Sequence, residues 1–480
     1  MLYEIEAIDY GRYDVLVCGA GTAGVFAAIA AARNGAKTLL IERSFSVGGM
    51  LTVGEAGITK FTEHCKDSER YKKEVLDVLG ADSKRVQVVG GLPLEFVERM
   101  IKAGTACGTH GTGGSYVFTD KCEAQWTLME MLEEAGVEIL YDTRVCMAIK
   151  DAETITGVVV CNKNGFLRIM ASRVIDATGD ADVAAYAGVP FHVGASEADR
   201  LEVPTVELGQ TQAFGTMYRV RDIDYKKLFD HFEKDPTFFR SLPVGRMSLE
   251  DVRKSHENGE MAVFCIKDVT HPCYAKGSVQ VYNLPTDGEA VLIGFTWCGY
   301  NEKSDGLNAA CLSKAQKSLW EGVRRTTECL RVIPGMENIK ITYIPDVGVR
   351  ETRHIEGEYS LSTMDIVLGR KFEDSIGCGG HPVDISPTPK EVEEMDMNHW
   401  RFYIPYRIMV PLQVENLLVT GRCVSASRVA SGAVRPTAQC MVMGEAAGTA
   451  AALSIKKNVT CRELDVKELQ QVLLANNVIL

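Results

Sequence analysis

The chain has no stretch of twenty apolar residues, no cysteine pair in CxxC spacing, and no basic run longer than Arg324-Arg325 or Lys456-Lys457. The first absence argues against a membrane-spanning helix. The second argues against a redox dithiol and a zinc knuckle, so no metal is expected. The third, with a formal net charge of −12, argues against a nucleic-acid surface. The 15 cysteines are odd in number and scattered from Cys18 to Cys461. That pattern suits a reducing, cytoplasmic setting, with thiols such as Cys18 and Cys146 serving as small buried residues. The opening Met-Leu-Tyr-Glu-Ile-Glu has neither a basic region nor an apolar core, so no secretory leader is expected. No repeat or low-complexity tract stands out. What remains is a globular composition, 46% hydrophobic and 24% charged, and 480 residues exceed one ordinary core, so two or three domains are predicted.

The strongest positive signal is Asp14-Val-Leu-Val-Cys-Gly19-Ala-Gly21-Thr-Ala-Gly24, continuing to Leu39-Leu-Ile-Glu42-Arg43. An apolar strand feeds a glycine-spaced turn, an alanine-rich helix from Val25 to Arg33, and a second strand from Lys37 to Ile41. In such a unit Gly19 permits the tight turn, Gly21 admits a pyrophosphate to the backbone, and Gly24 lets the helix pack on the strand. The helix N-terminus stabilises the phosphate charge. Glu42, at the end of the second strand, is placed to accept both ribose hydroxyls of an adenine nucleotide.

Lys121 to Ala135 carries helical periodicity and stops at Gly136. A charged helical pattern covers Asp67 to Leu79. Short apolar runs then alternate with turns, Asn162-Lys-Asn-Gly165 being a hairpin signal. Arg173-Val-Ile-Asp-Ala-Thr-Gly179-Asp180 is another strand ending in a glycine turn, and Asp180, directly before the short helix Ala181 to Ala187, suits an N-cap. Residues 190 to 400 differ in texture, with strand runs and a long helix from Leu307 to Val332. Leu417-Leu-Val-Thr-Gly421-Arg422 returns to strand and turn, and Val434 to Leu453 reads as a small-residue helix. The fold class predicted is α/β: a Rossmann-like nucleotide domain, mostly parallel sheet with a β-meander, from 1–190 and 400–480. An α+β substrate domain, 191–399, is inserted between them.

Gly19-Ala-Gly-Thr-Ala-Gly24 with Glu42-Arg43 and Gly48-Gly49, Asp176-Ala-Thr-Gly-Asp180, Thr420-Gly-Arg422 and Gly444-Glu-Ala-Ala-Gly448 together resemble the FAD-dependent oxidoreductases. These are glutathione-reductase-like flavoproteins, distantly related to fumarate-reductase flavoprotein subunits. Arg350-Glu-Thr-Arg353-His-Ile-Glu-Gly is similar to that family's Arg-Glu-Ser-Arg-Arg-Ile-x-Gly motif. The resemblance implies FAD, its pyrophosphate held by Gly19, Gly21 and Gly24 and its ribose by Glu42. It further implies Arg43 along the adenine, Gly48 and Gly49 at the ribityl or flavin end, and main-chain bonds from Val145 to adenine. Ala177, Thr178, Gly179 and Asp180 would flank the cofactor, with Gly421 and Arg422 beside it, and the helix near Thr437 would point its N-terminus at the flavin pyrimidine. Gly444 and Gly448 also suit plain helix packing. The chain departs from the family at His381-Pro-Val-Asp-Ile-Ser386, where the pattern runs Tyr-Pro-Ile-Asp-x-His, and at His354, where it has arginine.

A flavin enzyme needs a substrate over the ring, an acid or base, and an orienting charge. His381, in the glycine-rich loop Gly377-Cys-Gly-Gly-His, is the acid/base candidate. Arg353 is the orienting candidate, since a guanidinium binds a carboxylate in bidentate fashion, although its setting also suits an ion-pair network. His64 is a third candidate near Gly49, and Gly108 to Gly114 is a candidate flap. No second strand-linked glycine fingerprint for a pyridine nucleotide occurs. The reading is therefore a FAD-dependent oxidoreductase moving hydride between a small organic substrate and flavin N5. A reductase of unsaturated acids fed by a separate donor, and a non-catalytic FAD electron carrier, are the alternatives. Substrate, direction, electron acceptor and homo-oligomerisation stay open.

Overall fold

The computed structural model describes residues 6–59, 62–64, 85–108, 116–241, 248–259, 261–271, 274–284, 286, 288–293, 304–381, 383–385, 390–394 and 401–480. The two ends of the chain build one seven-stranded sheet. β1 (Ile8–Cys18) is followed by α1 (Thr22–Arg33) and β2 (Thr38–Ile41). β2 lies parallel to β1 and to β3 (Glu138–Leu140) on its far side. β4 (Arg144–Asp151), β5 (Thr154–Asn162) and β6 (Gly165–Asp176) form an antiparallel meander, its second hairpin closed where Asn162 faces Gly165. β6 also runs parallel to β1, ending with Cys18 opposite Asp176, and β7 (Leu417–Val419) adds parallel to its last residues. The paired ends of β1, β2, β6 and β7 are buried apolar runs, as expected of parallel strands covered on both faces.

One cover is α1 packed on α2 (Thr437–Lys457). Alanine and glycine dominate both helices, so their backbones approach closely. A Cβ on Gly444 would stand 2.2 Å from the Ala23 carbonyl oxygen, and one on Gly448 would stand 2.0 Å from that of Ala27. Both glycines are thus demanded by packing. The helix expected over Val434 to Leu453 runs instead from Thr437 to Lys457; Pro436, with ψ 161° and no N–H to donate, separates it from the short helix Arg428–Val434, while Arg435 keeps helical geometry.

Between β6 and β7 the chain forms a second, six-stranded sheet. Its order is Phe239–Ser241, Ala262–His271, Tyr274–Asn283, Ala290–Ile293, Met217–Arg221 and Lys340–Tyr343, with every pairing antiparallel. Its core is aromatic and branched, with Tyr218, Phe229, Phe232 and Phe264 packed beside Leu319, Val323 and Leu330 of the helix Ala309–Leu330. That helix is shorter than the predicted Leu307 to Val332 because the Asn308 side chain caps its first turn. Arg353–Ile355 pairs antiparallel with Phe191–Val193, joining the late part of the inserted stretch to its first residues. Cys18 is buried as expected; Cys146 is only half-buried, since β4 is an edge strand. The helix expected over Asp67 to Leu79, and residues 109–114 of the candidate flap, lie outside the described residues. Among the described residues no helix is long and apolar enough to cross a membrane.

Candidate functional site

The turn after β1 is shaped by contacts that leave no room for side chains. Gly19 has φ +102°, and a Cβ there would stand 2.6 Å from the Ala177 carbonyl oxygen. A Cβ on Gly24 would stand 1.8 Å from the Gly19 carbonyl oxygen. Gly21 differs: nothing lies within 4 Å of where its Cβ would be. The first and third glycines are fixed by packing, whereas the middle one faces open space. Gly48 (φ +91°) and Gly49 (φ +53°) close against the same turn. The Gly48 N–H donates to the Ala20 carbonyl at 2.8 Å, and a Cβ on Gly49 would reach within 3.0 Å of the Gly21 Cα. Gly49 thus closes directly on Gly21, the one of the three turn glycines that faces open space.

Glu42 stands at the edge of that space. Its Oε2 accepts from the Ala20 N–H at 2.8 Å, and its Oε1 accepts from the Ser44 N–H at 2.8 Å and the Ser44 hydroxyl at 2.9 Å. A carboxylate offers about four acceptor sites, so capacity for a further donor remains. The Thr143 N–H donates to the Glu42 carbonyl at 2.9 Å, which brings Val145 on β4 beside it. Arg43 is exposed, and its charge helps hold the Asp180 carboxyl below its ordinary range.

The helix starts carry an independent signal. Among the described helices of eight residues or more, Asp120, Asp224, Ser248, Asn308 and Asp465 cap their helices through side chains. Three helices lack such a cap: α1 after Gly21, Gly91–Lys102 after Gly90, and α2 after Pro436. For Gly91–Lys102 the buried Glu445 substitutes, its Oε2 accepting from the Leu92 N–H at 2.9 Å. On α1 and α2 the residues at the N-cap, Gly21 and Pro436, give no side-chain cap. On α2 the first turn is buried, the Thr437 hydroxyl donates to the Gly57 carbonyl at 3.0 Å, and both amide atoms of the buried Gln439 lack partners. The dipole of a buried helix start of this kind favours negative charge in front of it.

Ala177 joins the cradle by donating its N–H to the Cys18 carbonyl at 2.9 Å. Beyond it, Asp180 ties three segments together. It meets Arg422 at 2.6 Å and accepts from the Thr352 hydroxyl at 2.9 Å, while its carbonyl accepts from Arg353 at 2.7 Å. Burial alone would raise its carboxyl; Arg422 and its other partners more than offset that, so it is held down. Gly179, at φ +79°, lets the Arg422 side chain lie 3.2 Å from where a Cβ would stand, and Gly421, at φ +89°, abuts Ala23 at the start of α1. Asp180 is therefore not the N-cap its position suggested. Ala181 occupies that place with φ 54°, and the Thr178 hydroxyl accepts from the Asp182 N–H.

Arg353 also departs from expectation. Its Nη1 is committed to the Asp180 carbonyl and to Asp182 at 2.9 Å, its Nε is buried without a partner, and the guanidinium lies 5.2 Å over the Phe191 ring. It clamps backbone instead of facing a cavity. His64 pairs through its backbone with Arg85 in a two-stranded ribbon, and its side chain lies outside the described residues. His381 is half-buried, just past the strand Ser375–Gly379. It stands close enough to Asp384 for its charge to help hold that carboxyl down.

Asp384 leads to residues that sequence reasoning left unassigned. Arg435, directly before α2, donates to the Asp384 carboxylate at 2.9 Å, the Asp384 carbonyl at 2.7 Å and the Gln212 side-chain oxygen at 3.2 Å. Arg350 lies near both Asp384 and Arg435; burial lowers its pKa, Asp384 raises it and Arg435 lowers it further. No hydrogen bond or ion pair joins Arg350 to another side chain among the described residues. Glu351 holds this arrangement from behind. It accepts from the Gln212 backbone N–H at 2.8 Å, meets His354 at 3.0 Å, and lies 3.4 Å from the wholly buried Arg428. The sequence did signal Arg350, which opens the Arg-Glu-Thr-Arg motif; Gln212 carried no such signal.

Against known proteins, the chain matches the family model described as FAD dependent oxidoreductase over residues 14–473. It is 29% identical over 190 residues to digeranylgeranylglycerophospholipid reductase 1 of Methanococcoides burtonii, a match covering 38% of this chain and 43% of that one. It is 40% identical over 75 residues to thiamine thiazole synthase of Archaeoglobus fulgidus, covering 16% and 27%. The chain thus spans less than half the length of these curated relatives. A solved geranylgeranyl bacteriochlorophyll reductase-like protein from Thermoplasma acidophilum aligns with TM-score 0.45 and 14% identity, over 96% of this chain and 83% of that one. With the family match running through nearly the whole chain, the chain belongs to the FAD-dependent oxidoreductases, and FAD is its cofactor.

Proposed function

We propose that the chain transfers hydride between a small organic molecule and FAD, with residues 1–190 and 400–480 holding the cofactor and 191–399 forming most of the substrate side. The observation that carries this is the pair of uncapped helix starts, on α1 and the buried α2, at the two places the sequence motifs assign to FAD. Gly19, Gly21 and Gly24 with the α1 N-terminus would hold the pyrophosphate, Glu42 and Arg43 the adenosine, and Val145 the adenine edge. Gly48 and Gly49, Ala177 and Gly179, Gly421 and Arg422, and Thr437 would line the remainder, with Asp180 holding Arg422 in place. When bound, FAD supplies the two-electron redox centre. The α2 N-terminus favours negative charge at the site it faces. His381 holds or releases the accompanying proton at its imidazole.

Purified protein incubated with FAD should show a flavin absorbance band, reduced anaerobically by substrate; a protein that takes up no FAD would sink the proposal. A second reading, reduction of a carbon–carbon double bond with electrons from a separate donor, is favoured by the relative named as a reductase. Dye-reduced enzyme reoxidised by enoates and not by carbonyl compounds would select it. The separate donor or acceptor is then the partner, and the free thiols, including the exposed Cys122, support a reducing cytoplasm.

A further inference from the structure

The cluster before α2 is rich in hydrogen-bond donors and poor in acceptors. Arg350, half-buried beside Asp384 and Arg435, makes no side-chain hydrogen bond or ion pair among the described residues. The Gln212 side chain is fully buried; its oxygen is used by Arg435, while its Nε2 donor has no acceptor. The Arg435 Nε–H is likewise buried and unpartnered. Against these donors stands one carboxylate, Asp384, already bonded to Arg435 at 2.9 Å. Glu351 is already engaged with Arg428 and His354 behind Gln212, so within the group of Arg350, Arg435 and Asp384 two guanidinium charges face one carboxylate and leave an excess of one positive charge. Sequestered donors without acceptors are costly unless a ligand completes them.

Resting on the function proposed above, we infer that the substrate is a small organic acid whose carboxylate is taken by Arg350, with the Gln212 amide and the Arg435 Nε–H as further donors. Charge balance selects this class. One negative charge neutralises the cluster, whereas a phosphate dianion would leave it in excess. A guanidinium presents two parallel N–H groups to a carboxylate, which fixes the direction of the molecule as well as its charge. His381, close enough to Asp384 for their charges to interact, is then available to handle a proton on the bound acid. Arg353, held by Asp180 and Asp182, has no part in this contact.

The test titrates FAD-loaded protein with propionate and benzoate, their amides, and inorganic phosphate, following the flavin absorbance. Thermal shifts of the FAD-free protein supply a second readout. Both acids should perturb the flavin and stabilise the protein, the amides and phosphate at least tenfold more weakly. Arg350→Gln should weaken acid binding at least tenfold while leaving the starting flavin spectrum unchanged, and Arg350→Lys should fall between. If Arg350→Gln fails to hold flavin, the acid-against-amide comparison on the wild-type protein decides alone. Equal binding of acid and amide, stronger binding of phosphate, no response to acids, or an unchanged affinity in a flavin-loaded Arg350→Gln would each overturn the inference. A protein that never takes up FAD would instead defeat the functional proposal beneath it.

Discussion

The cradle after β1 and the cluster before α2, which the proposed function sets beside one cofactor, are made of different material. The cradle is backbone: glycines, helix dipoles and one carboxylate, with side chains excluded by contacts as short as 1.8 Å. The cluster is side chain: two arginines, an aspartate, a glutamine and a histidine drawn from separate segments. Recognition of a diphosphate needs only N–H groups and close approach, so its positions tolerate little beyond glycine. Recognition of a substrate needs charge and donors of particular shape, and many sequences can supply them. Substitutions should accordingly fail in different ways in the two regions.

The largest contrast lies within the cradle. Gly24→Val should lose both folding and FAD, because its Cβ meets the Gly19 carbonyl and cannot move away; overpacking of this kind costs about 1–3 kcal/mol or more. Gly21→Ala has room and should fold with nearly unchanged thermal stability, yet bind FAD at least tenfold more weakly by equilibrium titration. If Gly21→Ala were to unfold the protein, the claim that Gly21 alone faces open space would fail.

Next comes the hinge between the regions. Arg422→Ala leaves the largely buried Asp180 with only neutral donors and should cost about 3–5 kcal/mol in urea unfolding. The pH dependence should also change sign. In the wild type the Asp180 carboxyl is held down, so its contribution is present above the ordinary carboxylate range and lost as pH falls through the lowered value. Without Arg422, burial prevails and raises it, so stability falls as pH rises.

Glu445 sharpens the comparison of helix starts, since it is the protein's own substitute for a ligand at Gly91–Lys102. Burial pushes its carboxyl up to about 8. The folded protein therefore holds a proton that the unfolded chain releases near the ordinary glutamate value, and stability should decline by a few kcal/mol as pH rises from about 5 to about 8. Glu445→Gln should flatten that decline. A wild-type urea midpoint independent of pH across this window would remove Glu445 as a neutral cap.

The difference in material explains what could be read in advance. Strand, glycine turn, helix and Glu42 are close in sequence and dictated by local sterics, so the cradle was legible before any coordinates. So was the meander, through Asn162-Lys-Asn-Gly165. Arg353 misled because a motif shows which residues recur together and not which way a guanidinium turns; Asp182 and the Phe191 ring turn it inward. Arg350 stood in the same motif, but only the return of Asp384 and Arg435 beside it marks it as the cation left over. Gln212 lies far from both in sequence, and its position depends on Glu351 accepting its backbone N–H.

The smallest expected effect tests that division between the two arginines. Arg353→Ala removes bonds to the Asp180 carbonyl and to a partly exposed Asp182, so a loss of about 1–2 kcal/mol is expected, discounted for solvent screening. Acid binding by the folded, FAD-loaded variant should stay within about twofold of wild type, because no substrate contact has been removed. Arg350→Gln should do the reverse, changing the unfolding midpoint little, since Arg350 anchors nothing, while weakening acid binding. The two variants therefore separate clamp from receptor by opposite readouts in urea unfolding and acid titration. Were Arg353→Ala to abolish acid binding in a folded protein that still holds FAD, the orienting charge would belong to Arg353 after all, and the carbonyl it clamps would be a resting position.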